Sequence, residues 1–179
     1  MARHVAFLRA INVGGHVVKM DRLRQLFEDL DLANVKTVIA SGNVLFDATA
    51  RNVATLERRI EAHLFTALGY EVETFVRSPK EIEAILAHDP FARSKQRTSE
   101  SRLYIGFLKA EPPAAVCKSL DGCLTPTDEF RVRNRELYWS LNGPSADSKF
   151  GGPALEKMLK CGTTIRNVNT VRRIAELVL

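Results

Sequence analysis

The chain has 179 residues, 45% hydrophobic and 26% charged, with a formal net charge of +5. A chain this long buries roughly 70% of its unfolded surface on folding, so neither disulfides nor a metal are needed to hold a core. No apolar run approaches the roughly 20 residues of a membrane span, and Arg9 cuts the first apolar stretch too short for a secretory signal, so the expectation is a cytoplasmic protein with no membrane partner.

Residues 3–9 read as a strand, and Met20, Leu23, Leu26, Phe27 and Leu30 then recur at helical spacing. Residues 35–40 and 43–47 are short β-rich runs. Ser41-Gly42-Asn43 between them reads as a hairpin turn, because Gly and Asn tolerate positive φ. Leu56, Ile60, Leu64 and Leu68 mark a second amphipathic helix ended by Gly69, and residues 72–77 make a fourth strand. The order βαββαβ is the split βαβ pattern of ferredoxin-like folds.

Ser78-Pro79-Lys80-Glu81 is a capping box with Pro at the first helical position, and its helix runs to His88-Asp89-Pro90. Residues 91–101 are a polar, basic loop, 102–108 a strand, and 113–120 a helix. Strands at 127–133 and 136–141 flank a turn at Asn134. A Gly- and Pro-rich loop over 142–153 precedes helices at 154–161 and 168–178. The second half thus reads β-α-β-β-α with a modified C-terminal end and an extra helix. The expectation is an α+β chain of two ferredoxin-like α/β plaits in tandem, residues 1–78 and 79–179.

Charge is uneven between the halves. Residues 1–78 hold 10 Lys and Arg against 9 Asp and Glu, whereas residues 79–179 hold 16 against 12. Such an excess suits an anionic partner, and it equally suits a solvated surface. Three polar clusters are candidates for binding one. The first is Arg9 with Asn12, Gly14, Gly15 and Lys19, where paired glycines let backbone N–H groups face an anion ahead of a helix. The second is Ser41-Gly42-Asn43, which a βαββαβ topology brings to the same end of the sheet as the first, so that Ser41 and Asn43 join it. The third is Thr163-Thr164-Ile165-Arg166-Asn167-Val168-Asn169-Thr170, with Asn167 as N-cap of the last helix and Arg166 beside its positive end. Each cluster also reads as ordinary turn or cap chemistry.

A separate pattern places Arg131, Arg133 and Tyr138 on one strand face, with Arg102 and Tyr104 of the neighbouring strand joining them. Arginines interleaved with tyrosines suit RNA bases and phosphates. The same face also suits packing or solvent, and the RNP pattern is missing. Cys117, Cys123 and Cys161 make no Cys-x-x-Cys pair and His4, His16, His63 and His88 are scattered, so no metal or other cofactor is expected. No nucleophile elbow or triad spacing marks an enzyme, and whether the chain is one stays open.

Leu8-Arg9-Ala10-Ile11-Asn12-Val13-Gly14-Gly15, the Lys19-Met20 helix start with Leu23, Ser41-Gly42-Asn43-Val44 with Phe46, and Thr163-Thr164-Ile165-Arg166-Asn167 running to Asn169-Thr170-Val171 together resemble the bacterial domain-of-unknown-function family 1697 (DUF1697). The likeness spans nearly the whole chain. It implies a pair of ferredoxin-like plaits and brings no assigned activity. Val168 stands where members usually carry Trp, while Arg166 and Asn167 keep the motif. Three readings follow. One is an anion-binding module for a nucleotide, a phosphorylated metabolite or RNA. Another is an acylphosphatase-like phosphoryl hydrolase, with Arg9 or Lys19 on phosphate and Asn43 or Asn12 on water. The third is a structural or interaction protein with no small ligand: strands 1 and 3 carry apolar residues on both faces, and either the other lobe or the second subunit of a homodimer would cover the second one.

Overall fold

Strand β1 (Ala2–Leu8) carries apolar side chains on both faces, and that composition makes it a central strand. It lies between β3 (Asn43–Ala48) and β4 (Thr74–Arg77), with β2 (Ala33–Val38) beyond β3; the order is β2-β3-β1-β4 and every pairing is antiparallel. The computed structural model describes residues 1–38, 42–50, 52–144 and 147–179, so Ser41 lies outside the described residues. Helices α1 (Met20–Glu28) and α2 (Val53–Leu68) bury Leu23, Leu26, Phe27, Leu56, Ile60 and Leu64 against Ala6, Leu8, Val44, Phe46 and Val76. Each such large side chain contributes about 1.5–3 kcal/mol. On the opposite face Val5, Phe7, Leu45 and Phe75 have no exposure either. Helix α2 starts where the Asn52 side chain accepts the Thr55 amide at 3.0 Å and stops at Gly69, whose φ of +80° is left-handed.

Strand β4 is an edge, and an edge leaves alternate backbone N–H groups without a strand partner. Here α2 supplies acceptors one helical turn apart. Glu61 accepts the Thr74 amide at 2.8 Å and Glu57 accepts the Val76 amide at 2.7 Å. Glu57 is buried for this purpose, at 3% exposure.

The second set of elements repeats the first. Strands β5 (Arg102–Leu108), β6 (Asp128–Arg133), β7 (Glu136–Leu141) and β8 (Thr163–Asn167) form a sheet of order β6-β7-β5-β8. Helices α4 (Ala114–Asp121) and α5 (Gly152–Leu159) pack Val116, Leu120, Leu155 and Leu159 against Phe130, Leu137, Trp139 and Leu141. Asp128 sits buried in that layer and accepts from Trp139 Nε1 at 2.9 Å, Ser148 Oγ at 2.6 Å and Thr127 Oγ1 at 2.6 Å. Helices α3 (Pro79–Ala87) and α6 (Val168–Val178) follow β4 and β8. The described residues therefore make two four-stranded antiparallel sheets and six helices, and the chain divides into compact units Met1–Glu83 with Ile174–Leu179, and Ala84–Arg173.

One expectation is corrected. Residues 163–167 are not a polar approach to the last helix but the fourth strand of the second sheet, so this half has no modified C-terminal end. Alternation explains it: Thr163 and Thr164 are β-branched, and the strand pairs with β5 from Tyr104–Asn167 to Leu108–Thr163.

Truncating the edge acceptor tests the role of α2. Glu57→Ala leaves the buried Val76 amide unpaired and should cost about 1–3 kcal/mol in urea unfolding. Glu57→Gln keeps an acceptor of the same shape and should lose clearly less. Equal losses would show that packing, not the hydrogen bond, fixes this edge.

Candidate functional site

In the first unit the loop between β1 and α1 is braced from inside. The Asn12 side-chain Oδ1 accepts the Val18 amide at 2.6 Å, and Tyr70 donates its hydroxyl to the Ile11 backbone carbonyl at 2.9 Å. His16 stacks on the Tyr70 ring with centroids 3.8 Å apart. Burial pushes the Tyr70 phenol up, so it stays a donor. Gly14 and Gly15 take left-handed φ values of +68° and +89°, and nothing crowds the place a Cβ would occupy, so the backbone turn is what needs them.

The second cluster does meet the first. The Leu8 amide donates to the Gly42 carbonyl at 2.7 Å, and a Cβ on Gly42 would come within 2.6 Å of Ile11 Cγ2. The polar groups of this corner nonetheless have internal partners. Asn43 is 1% exposed and its amide donates to the Val38 carbonyl at 2.9 Å. Arg9 is ion-paired with Glu73. Lys19 is exposed at the N-cap of α1 and makes no side-chain capping bond. A cavity of about 380 Å³ in this unit is lined by Glu61, Phe65, Glu71 and Glu73, and its sign repels an anion.

The third cluster lies in the second unit and splits across its strand. Thr163 donates to the Phe107 carbonyl at 3.2 Å. Arg166 is 9% exposed and donates through Nη1 to Thr164 Oγ1 and the Ile165 carbonyl, both at 2.9 Å. Burial lowers the Arg166 guanidinium to about 10, which leaves it charged at neutral pH. Asn167 alone faces the strand's open end, where its side chain accepts the Asn169 amide at 2.9 Å and caps α6.

The expected arginine–tyrosine face is corrected by the register of β5. Tyr104 stands opposite Trp139 and Ile105 opposite Tyr138, and directly opposed residues share a face. Arg102 and Tyr104 therefore belong with Phe130 and Trp139, and the Tyr104 and Trp139 rings lie 5.1 Å apart. On the other face, Arg131 donates to Glu129 at 2.8 Å and lies over the Phe91 ring. Arg133 is exposed, while Tyr138 is 2% exposed beneath the edge of His88. Burial, helped by the Glu136 charge, pushes the Tyr138 phenol up to about 12. A ring held there offers no face to a base.

Where positive charge does converge is the end of the second sheet. A cavity of about 260 Å³ is lined by Arg97, Ser101, Arg102, Leu103, Asn167, Val168, Asn169 and Arg172. It forms because β8 runs antiparallel to β5, so the last residue of β8 and the first turn of α6 arrive beside Arg102 and the loop before it. Among the described residues no acid lines it. Arg172 donates to Asn169 Oδ1 at 2.9 Å, and Arg97 is ion-paired with Asp89. The Arg97 guanidinium holds the Asp89 carboxyl below the usual carboxylate range. Sequence patterns point to Arg102, to Asn167 as a cap and to Asn169 in the same polar cluster; Arg97, Ser101 and Arg172 carry no local motif. Only the strand at 163–167, read as the partner of β5, brings them together.

This is the architecture of a mixed α/β chain with two four-stranded antiparallel sheets. The chain belongs to the family described as protein of unknown function (DUF1697), which matches it over residues 1–138. The solved structure of conserved bacterial protein SP0830 from Streptococcus pneumoniae is similar in fold, with a TM-score of 0.75 at 22% identity over 99% of this chain and 98% of that one. No curated protein matches the chain. Among the described residues no helix is long and apolar enough to cross a membrane, and no group of three or more His, Cys, Asp or Glu could hold a metal ion.

His88 beside Tyr138 gives a titration test of this packing. Burial, and then the Arg133 charge, lower the folded-state pKa of His88. As pH falls the unfolded chain takes up the proton first, so the contribution of His88 to stability is lost between its ordinary value and the lowered one. Thermal midpoints measured from about pH 7.5 to 5 should fall less steeply for His88→Gln than for the native chain. Identical slopes would mean that His88 is solvated.

Proposed function

We propose that this protein is an anion-binding module whose site is the arginine-lined cavity at the start of α6. The observation that carries the reading is the convergence of Arg97, Arg102 and Arg172 on one concavity together with a helix N-terminus. Guanidinium forks match the oxygens of phosphate and carboxylate, and the helix end adds positive potential. Arg102 and Arg172 have no acidic partner among the described residues, so their charge is available to a ligand.

A comparison within the chain supports it. Helix α3 begins the same way after β4, but there Glu81 Oε2 accepts the Ser78 amide at 2.8 Å and puts a carboxylate at the helix start. Helix α6 has no acid in its first turn. We further read each sheet with its helices as a ferredoxin-like lobe, on the grounds of the repeated βαββαβ order and the matching strand orders. Three free cysteines fit a reducing compartment, in keeping with a cytoplasmic location.

Inorganic phosphate at about 100 times its Kd should add roughly 2.7 kcal/mol of stability, a rise of about 5–10 °C in the midpoint for a chain of this size. The rise should shrink in high salt and disappear in Arg102→Ala and Arg172→Ala. A rise that both variants retain would move the site elsewhere.

A further inference from the structure

The charge and size of the cavity define the kind of anion it takes, given the reading that it binds one at all. Three guanidinium groups line it, and one of them, on Arg97, is offset by the ionised Asp89 carboxylate. The remaining excess is about two positive charges, from Arg102 and Arg172, plus the partial charge at the start of α6. A phosphate monoester carries about −1.5 to −2 near neutral pH, whereas a phosphodiester or a carboxylate carries one negative charge. The volume of about 260 Å³ lies below the roughly 300–1,000 Å³ of sites for drug-sized ligands. That size suits a phosphate with a small organic group.

The lining agrees with such a ligand. Ser101, Asn167 and Asn169 supply hydroxyl and amide groups, while Leu103 and Val168 are its apolar members. Tyr104 does not line the cavity, since it packs toward Trp139, so the site presents no aromatic surface for a base. We propose that the cavity binds the terminal phosphate of a small phosphomonoester, selecting the dianion over a phosphodiester, with Arg102 and Arg172 as its charge partners. A nucleic-acid chain, whose internal phosphates are all diesters, is the poorer ligand.

Calorimetric titration of the whole chain with methyl phosphate and dimethyl phosphate tests this, run at about pH 8, where the monoester is fully dianionic. The proposal expects methyl phosphate to bind about tenfold or more tightly than dimethyl phosphate. It also expects Arg102→Ala, an exposed substitution whose fold is checked by circular dichroism, to lose that preference. Equal binding of the two esters, still lost in Arg102→Ala, would overturn the monoester proposal and leave the anion-binding reading in place. An oligoribonucleotide without a terminal phosphate that binds more tightly than methyl phosphate would overturn the proposal in favour of nucleic acid. Binding of none of these anions would overturn both.

Discussion

The antiparallel pairing of β8 with β5 is the constraint on which the candidate site depends. A strand that closes a sheet beside the central one brings its own end to the central strand's beginning. With Asn167 opposite Tyr104, the chain leaving β8 must enter α6 next to Arg102. The polar loop before β5 ends at that point, so Arg97 and Ser101 come with it. No residue of this group needs a strained backbone to reach the site. Sheet topology alone gathers side chains from Arg97 to Arg172.

The same topology in the first unit has a different chemical outcome. There β4 closes the sheet beside β1, and α3 starts at once. Ser78 and Glu81 bond reciprocally across its first turn, with Glu81 accepting from both the Ser78 amide and hydroxyl. A helix start that carries its own carboxylate has little field left for an outside anion. At α6 the cap is the neutral Asn167 side chain, and the neighbours are arginines. In the first unit Arg9 is likewise matched, by Glu73, and the cavity there is lined by glutamates. The two helix starts that follow β4 and β8 thus differ in field, one carrying a carboxylate and the other arginines.

Most elements are legible from periodicity and punctuation. Gly69 ends α2 and Ser78-Pro79 opens α3 because glycine conformation and capping are local chemistry. The contact between the β2–β3 turn and the β1–α1 loop also follows from element order, and Gly42 against Ile11 realises it. What stays hidden is set by partners far away in sequence. The stretch Thr163–Asn167 looks like cap chemistry because its hydroxyls and amides suit a helix start, yet its β-branched residues pair with β5. The face of β5 is hidden for another reason. Both faces are buried along Ile105, Gly106, Phe107 and Leu108, so alternation does not say which residues stand with Trp139. The pairing with β7 decides it, and a shift of one residue exchanges the faces. Gly106 sits close between its two neighbour strands, since a Cβ there would meet Thr163 Oγ1 at 3.1 Å and Leu137 Cβ at 3.2 Å.

Two corners of this chain carry polar loops ahead of helices, and the account assigns anion binding to one of them. Amide chemical-shift mapping during a titration with inorganic phosphate separates the two directly. The account predicts saturable shifts at the backbone amides of Ser101, Arg102, Val168 and Asn169, with Gly14, Gly15 and Lys19 unmoved. Shifts centred on Gly14, Gly15 and Lys19 would contradict it and place the anion at the β1–α1 loop.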